Sequence, residues 1–195
     1  YCKRDRFSAL DLTVVGNHVS LVKGVFGEAV QLDGSHLQAA RNPLAGVDDF
    51  TVSLWFKTVN PAENYKLVAA ARWAGVENAS GWDVGTQYSE FWADDNAGSL
   101  IPGAGWERRV KFHKGEWNHL VVTYDRKRMR EYINGQLSFE YHGTGKRAGA
   151  GVPMTVGAWM GGFRFPGFLD ELRIYRRALK ADEVNTLFRA PSGLD

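Results

Sequence analysis

Residues 165–184 read FPGFLDELRIYRRALKADEV, and two elements follow from them. Phe168 to Tyr175 alternates like a strand. Side chains alternate faces along a strand, which sets Phe168, Asp170, Leu172 and Ile174 on one side and Leu169, Glu171, Arg173 and Tyr175 on the other. Asp170 then stands among three apolar residues. A carboxylate taken out of water needs a cation, several N–H donors, or a proton. Beyond the strand, Val184, Leu187 and Phe188 fall at helical spacing and Asp182 and Glu183 occupy a first turn. The spacing predicts one short helix near 181–188. Lys180 stands at its N-cap and cannot accept the orphan N–H bonds that a cap satisfies, so the helix start is weak.

The same alternation recurs upstream. EAVQLDGSHLQA (28–39) reads as strand, Asp33-Gly34 turn, strand. DFTVSLWFKTV (49–59) is the clearest strand, with Phe50, Val52, Leu54 and Phe56 on one face and Thr51, Ser53, Trp55 and Lys57 on the other. YKLVAAAR (65–72), GWDVGTQY (81–88), a short stretch at 90–93, EWNHLVVTYD (116–125), MREYINGQLSFEY (129–141) and MTVGAWM (154–160) continue the series. Asn134-Gly135 is a two-residue hairpin signal, because both residues tolerate positive φ. Ten or so strands separated by Gly-rich turns, in a chain with 22 glycines and 13% aromatic residues, point to a sandwich or barrel. The length of 195 residues suits a single domain over 1–195, with 1–8 as a linker from a longer protein.

Bulk properties remove several functions. The net charge is +2 with both signs interspersed, unlike the one-sided basic face of a nucleic-acid binder. The run Arg126-Lys127-Arg128-Met129-Arg130 is read as a solvated hairpin turn. No stretch approaches the roughly 18 apolar residues of a membrane span. One cysteine, Cys2, permits neither an internal disulfide nor a Cys-based zinc site. The opening Tyr1-Cys2, without a leader or initiator Met, is read as a processed form or a piece of a longer protein.

AVQLDGSHLQ, FTVSLWFK, GEWNHLVVTYD, EYINGQL, MTVGAWM and FPGFLDELRIYRRALKADEVNTLF follow one another in this order. Together they resemble the laminin-G-like, concanavalin-A-like jelly-roll modules of bacterial extracytoplasmic proteins, over residues 25–190. The most specific pieces are Trp-x-His-x-x-x-x-Tyr-Asp (117–125), the Asn-Gly turn and Leu-Asp-Glu-Leu-Arg-Ile-Tyr. The resemblance implies an all-β, two-sheet antiparallel sandwich with one short C-terminal helix. It also implies a secreted, periplasmic or cell-surface setting, other domains of a parent protein as partners, carbohydrate binding, and a structural calcium.

Three readings of Asp170 stand open. It ligates calcium together with turn carbonyls and Asp33, it accepts hydrogen bonds from loop amides or from Arg173 or Arg41, or it lies at an exposed strand start. Asp94-Asp95-Asn96 lacks the spacing of an EF-hand loop and is read as a turn.

Tryptophan is the next signal. Flat rings pack against the C–H faces of sugars while polar neighbours bond the hydroxyls. Trp82 and Trp117 are expected in the core, Trp159 is undecided, and Trp55, Trp73, Trp92 and Trp106 are the candidate sugar platforms, with Arg72, Asp83, Gln87 and Asn96 as polar neighbours. No catalytic residue is assigned. Asp170 and Glu171 are adjacent and cannot form the same-face carboxylate pair of a retaining glycosidase, and His119 is read as structural. The expectation is a non-catalytic glycan-binding module; the alternative is a structural or protein-interaction sandwich without sugar binding.

Overall fold

The computed structural model describes residues 11–58, 60, 65–72, 80–86, 90–91, 111–142, 151–159 and 161–190. Among them are thirteen strands and one helix. The strands are β1 (Leu12–Val15), β2 (Ser20–Lys23), β3 (Glu28–Leu32), β4 (His36–Ala39), β5 (Phe50–Lys57), β6 (Lys66–Arg72) and β7 (Ser80–Gly85). They continue with β8 (Glu90–Phe91), β9 (Asn118–Tyr124), β10 (Arg128–Ile133), β11 (Gln136–His142), β12 (Thr155–Val156) and β13 (Gly167–Tyr175), and α1 (Ala181–Arg189) follows. One sheet runs β1-β4-β12-β6-β7-β8, the other β11-β10-β9-β5-β13-β3-β2, and every pairing is antiparallel. This is the expected two-sheet sandwich.

Period-two alternation fills the interior from both sheets. Phe50, Val52, Leu54 and Phe56 of β5, with Leu120, Val122 and Tyr124 of β9, meet Val68 and Ala70 of β6 and Trp82 and Val84 of β7. Trp82 is fully buried, tilted against Phe50 at 6.1 Å, and its Nε1–H donates to Asn42 Oδ1 at 3.2 Å. Trp117 differs from expectation. It is half-buried and meets Phe168 edge-on at 6.3 Å, outside the core cluster. The turns fall where their residues allow. Asn134 (φ 51) and Gly135 (φ 78) close the β10–β11 hairpin, both at positive φ. The basic run 126–130 is the β9–β10 turn and the start of β10, where Arg126 Nε donates to Asp49 at 2.9 Å.

The alternation along β13 breaks at one point. Asp170 faces Trp55 and Arg173 faces Ser53, so Glu171 and Leu172 together stand opposite Leu54. Glu171 takes φ 50, a left-handed conformation uncommon for a residue with a Cβ. This β-bulge moves the chain by one register step. Leu169 faces the core before it, and Leu172 and Ile174 face the core after it. Asp170 therefore does not share a face with Leu172 and Ile174, as uninterrupted alternation predicts. It lies on the opposite face, beside Trp55.

Helix α1 covers the outer face of the seven-stranded sheet. Val184 and Leu187 pack with Leu179 on Val121 and Tyr132, the outward residues of β9 and β10. Thr51 Oγ1 ties the approach to the helix, accepting from Leu179 N–H and donating to the Arg177 carbonyl, both at 2.9 Å. The weak N-cap at Lys180 is offset by Glu183, which accepts the Lys180 N–H at 2.8 Å and a fork from Arg177 at 2.5 and 2.9 Å. Those donors hold the Glu183 carboxyl down to about 2. A depressed carboxylate contributes its stability above its unfolded value, about 4.5, and loses it as pH falls toward about 2. Glu183→Gln is expected to cost about 1 kcal/mol at pH 7. In thermal melts that penalty should vanish near pH 2.

Candidate functional site

The sandwich has two outer faces, and α1 covers the seven-stranded one over β5, β9 and β10. Trp55 projects from it as alternation requires, yet it is only 7% exposed. Its ring stacks on His119 at 5.0 Å and on Phe188 of α1 at 5.7 Å. Trp55 is thus no sugar platform: the helix occupies the surface a sugar would use. His119 Nε2 lies 2.9 Å from Ser53 Oγ, the spacing of a nucleophile and its base. Both residues are fully buried, and burial, aided by the Arg173 charge, pushes His119 down to about 4. The pair has no access to a substrate and is structural. A cleft of about 440 Å³ beside the helix start is lined by Asp125, Arg130, Tyr132 and Leu179–Ala181. Its Arg130 is already committed to Asp125 at 3.0 Å and Glu140 at 2.6 Å.

The six-stranded sheet carries a different arrangement. Trp82 and Val84 face the core, so Asp83 faces out. There it is fully buried and accepts a 2.8 Å bond from Lys66 Nζ, itself 1% exposed. A buried charge must be paired, and this pair meets diagonally across β6 and β7. Asp83 was expected among the polar neighbours at the surface; it is instead an interior ion-pair partner. Its Lys66 half is not among the sequence-derived candidates. The only sequence signal for it is a lone cation opening an otherwise apolar strand.

Alanines flank that pair on β6. Ala69 and Ala71 are small enough for another segment to lie directly over them. After β12 the chain turns at Gly157 (φ 83) instead of continuing as the strand expected to 160. Thr155 Oγ1 bonds the Ala69 and Ala158 carbonyls at 3.3 and 2.6 Å. Trp159 and Gly162 exchange backbone bonds at 2.9 and 2.8 Å, making a tight turn with Gly161 at φ 76. Trp159 Nε1–H donates to the Ala71 carbonyl at 3.2 Å, and the Phe163 carbonyl accepts from Lys66 N–H at 3.0 Å. The flap therefore follows β6, pinned near both ends. The rings of Trp159 and Phe163 lie 5.4 Å apart at 43°, and Phe163 is 48% exposed. It holds φ 48, a left-handed conformation. Arg164 beside it donates to the carbonyls of Gly161 and Gly34, both at 2.8 Å. An aromatic pair at the surface, fixed by backbone bonds and flanked by a guanidinium, can stack a ring and bond its substituents.

Backbone amides hold Asp170. Oδ2 accepts the N–H of Val25 at 2.8 Å and of Phe26 at 3.2 Å, and Oδ1 accepts the N–H of Glu171 at 2.8 Å. Of the three open readings, loop amides hold this carboxylate. Asp33 does not share its site. Leu32 pairs with Gly167 and Val30 with Leu169, so Asp170 lies opposite Ala29 and four residues from Asp33 along β3. At the strand rise this is about 13 Å, whereas one calcium ion draws its ligands within 2.3–2.6 Å. A calcium bridging Asp33 and Asp170 does not fit. Among the described residues no group of three or more His, Cys, Asp or Glu is placed to hold a metal.

A family model described as concanavalin A-like lectin/glucanases superfamily, of the laminin-G type, matches residues 32–185. The chain belongs to this superfamily. Solved structures of similar fold include domain 4 of AbnA, an extracellular arabinanase of Geobacillus stearothermophilus, in complex with arabinotriose. There the identity is 22%, the TM-score 0.66, and the match covers 94% of this chain and 91% of that one. The binding domain of botulinum neurotoxin serotype G is similar at 19% identity and TM-score 0.68, over 95% of this chain and 48% of that one. The binding domain of Paraclostridial mosquitocidal protein 1 follows at 21% and 0.66, over 94% and 48%. This chain spans about half of each of the last two. No curated protein sequence matches it.

Trp73, Trp92, Trp106, Gln87 and Asn96, and the side chain of Arg72, lie outside the described residues. β6 ends at Arg72 and β8 at Phe91, at the same end of the six-stranded sheet. The described site residues that the sequence reading left out are Phe163 and Arg164. Their signal is GGFRFPG (161–167), an aromatic and a cation directly after a glycine pair, where the chain can turn side chains outward.

Proposed function

We propose that this chain is a non-catalytic carbohydrate-binding module acting within a larger extracytoplasmic protein. The observation that carries the reading is the Trp159–Phe163 pair, an exposed Phe163 against a half-buried Trp159 on a flap pinned along β6. The superfamily is one of lectins and glucanases, and the AbnA domain was solved with an arabinose trisaccharide. Ser53 and His119, at nucleophile–base spacing, are buried under α1, which supports binding over turnover. No helix of the described residues is long and apolar enough to cross a membrane.

The test is a glycan array followed by calorimetry on the hits. Phe163→Ala should weaken binding about three- to tenfold, the loss of one stacking ring. The melting temperature should stay unchanged, because the ring is half outside. Absence of binding to neutral and acidic polysaccharides alike would remove the reading and leave a docking module.

A further inference from the structure

We infer that the flap site selects acidic glycans, with Arg164 as the residue that reads a sugar carboxylate or sulfate. The inference rests on the carbohydrate-binding reading above and names the ligand class for that site. Arg164 is exposed and anchored: Nε donates to the Gly161 carbonyl and Nη1 to the Gly34 carbonyl, each at 2.8 Å. These two acceptors come from the flap and from the β3–β4 turn, so the guanidinium is fixed between two separate segments. Neither acceptor carries a charge. Arg126, Arg128, Arg130, Arg173 and Arg177 each meet a carboxylate. Among the described residues Arg164 meets no carboxylate, and its partners are the two carbonyls.

The surroundings keep that charge available. Asp33 adjoins Gly34 but is exposed and makes no ion pair with Arg164. His36 opens β4 behind the same turn and is held below its ordinary value by burial and then by the Arg164 charge. A guanidinium has five N–H donors in a planar fork, matched to a carboxylate or sulfate edge. With two donors holding it to backbone carbonyls, the others are oriented before any ligand arrives, which cuts the ordering cost of binding. Phe163, the preceding residue, supplies the face on which the sugar ring of that acid would stack.

The experiment uses the whole chain and paired polysaccharides. One arm takes polygalacturonate and alginate with their carboxyl-reduced forms; another takes a sulfated galactan with its desulfated form. Calorimetry is run on the wild type, Arg164→Gln, Arg164→Lys and Phe163→Ala, at about 50 and 500 mM salt. The expected result is an acid preferred at least tenfold over its neutral counterpart at low salt. Arg164→Gln should abolish that preference, Arg164→Lys should retain part of it, and Phe163→Ala should weaken acid and neutral forms by the same factor. The arm that shows the preference identifies carboxylate or sulfate as the group read. Equal binding of acid and neutral forms by the wild type, or a preference unchanged in Arg164→Gln, overturns the role of Arg164 and leaves the carbohydrate reading standing. Binding to none of the six polysaccharides overturns this inference, and with the array result above it separates the two failures. Melting temperatures of the variants, expected within 2 °C of the wild type for an exposed side chain, show that each is folded.

Discussion

Asp170→Ala is expected to destabilise the fold by about 3–5 kcal/mol, among the largest effects of any single substitution here. The carboxylate accepts three backbone N–H groups, from Val25, Phe26 and Glu171. Two belong to the β2–β3 turn and one to the bulge of β13, so one side chain fastens a hairpin turn to a neighbouring strand. Removing it takes the shared acceptor from those donors in a site where Asp170 itself is only 7% exposed. Gly24 reports on the same contact from the other side. A Cβ on Gly24 would stand 2.2 Å from Asp170 Oδ2, so Gly24→Ala must also displace the turn. With Asp170 truncated that clash no longer exists, and the double variant should cost clearly less than the sum of the two singles. Denaturant unfolding of the four proteins checks this. A chelator should leave the wild-type transition where it is; a large downward shift with a chelator, reversed by calcium, would return Asp170 to a metal.

The second large effect is a loss of stability in mild acid centred on His119. Its folded value is about 4 against 6.5 ordinarily, because it is buried under α1 beside Trp55 and Phe188 with the Arg173 charge nearby. Between these two values the unfolded chain binds a proton that the folded chain refuses. Stability is therefore complete above about pH 6.5, falls as pH drops, and has lost about 3 kcal/mol by pH 4. For a chain of this size that is roughly a 6–12 °C fall in melting temperature. His36, shifted in the same direction, adds to the slope. His119→Gln keeps a polar partner for Ser53 and removes the proton site. Its melting temperature should change less between pH 7 and pH 4.5 than that of the wild type, by most of that difference. Equal slopes in the two proteins would show that His119 is protonated in the fold.

Much of the architecture was legible before any coordinates. Asn134-Gly135 marks its hairpin because few residues accept positive φ twice in succession. The β5 alternation marks both its faces because a two-residue period admits no other burial. Val184, Leu187 and Phe188 mark the helix for the same reason at a longer period. The bulge was not legible: Glu171 carries no glycine-like signature, and its φ of 50 is imposed by neighbours on both sides. That single residue reversed the face assigned to Asp170. The site was read less well than the fold. Trp55 was placed on the correct face, but alternation says nothing of a helix arriving from 130 residues further along to cover it. Asp83 likewise looked like a surface acid until Lys66 was brought 2.8 Å away across the neighbouring strand.

The sequence by itself determined most of the strands from β3 onward, the Asn134-Gly135 turn, the C-terminal helix and the family, because these depend on local periodicity and on residues with restricted backbone freedom. Only the tertiary structure decided what covers Trp55, what satisfies Asp170, and that Phe163 reaches solvent. Those outcomes depend on which distant segments lie over each sheet, and burial is a property of neighbours in space that no single stretch of chain encodes.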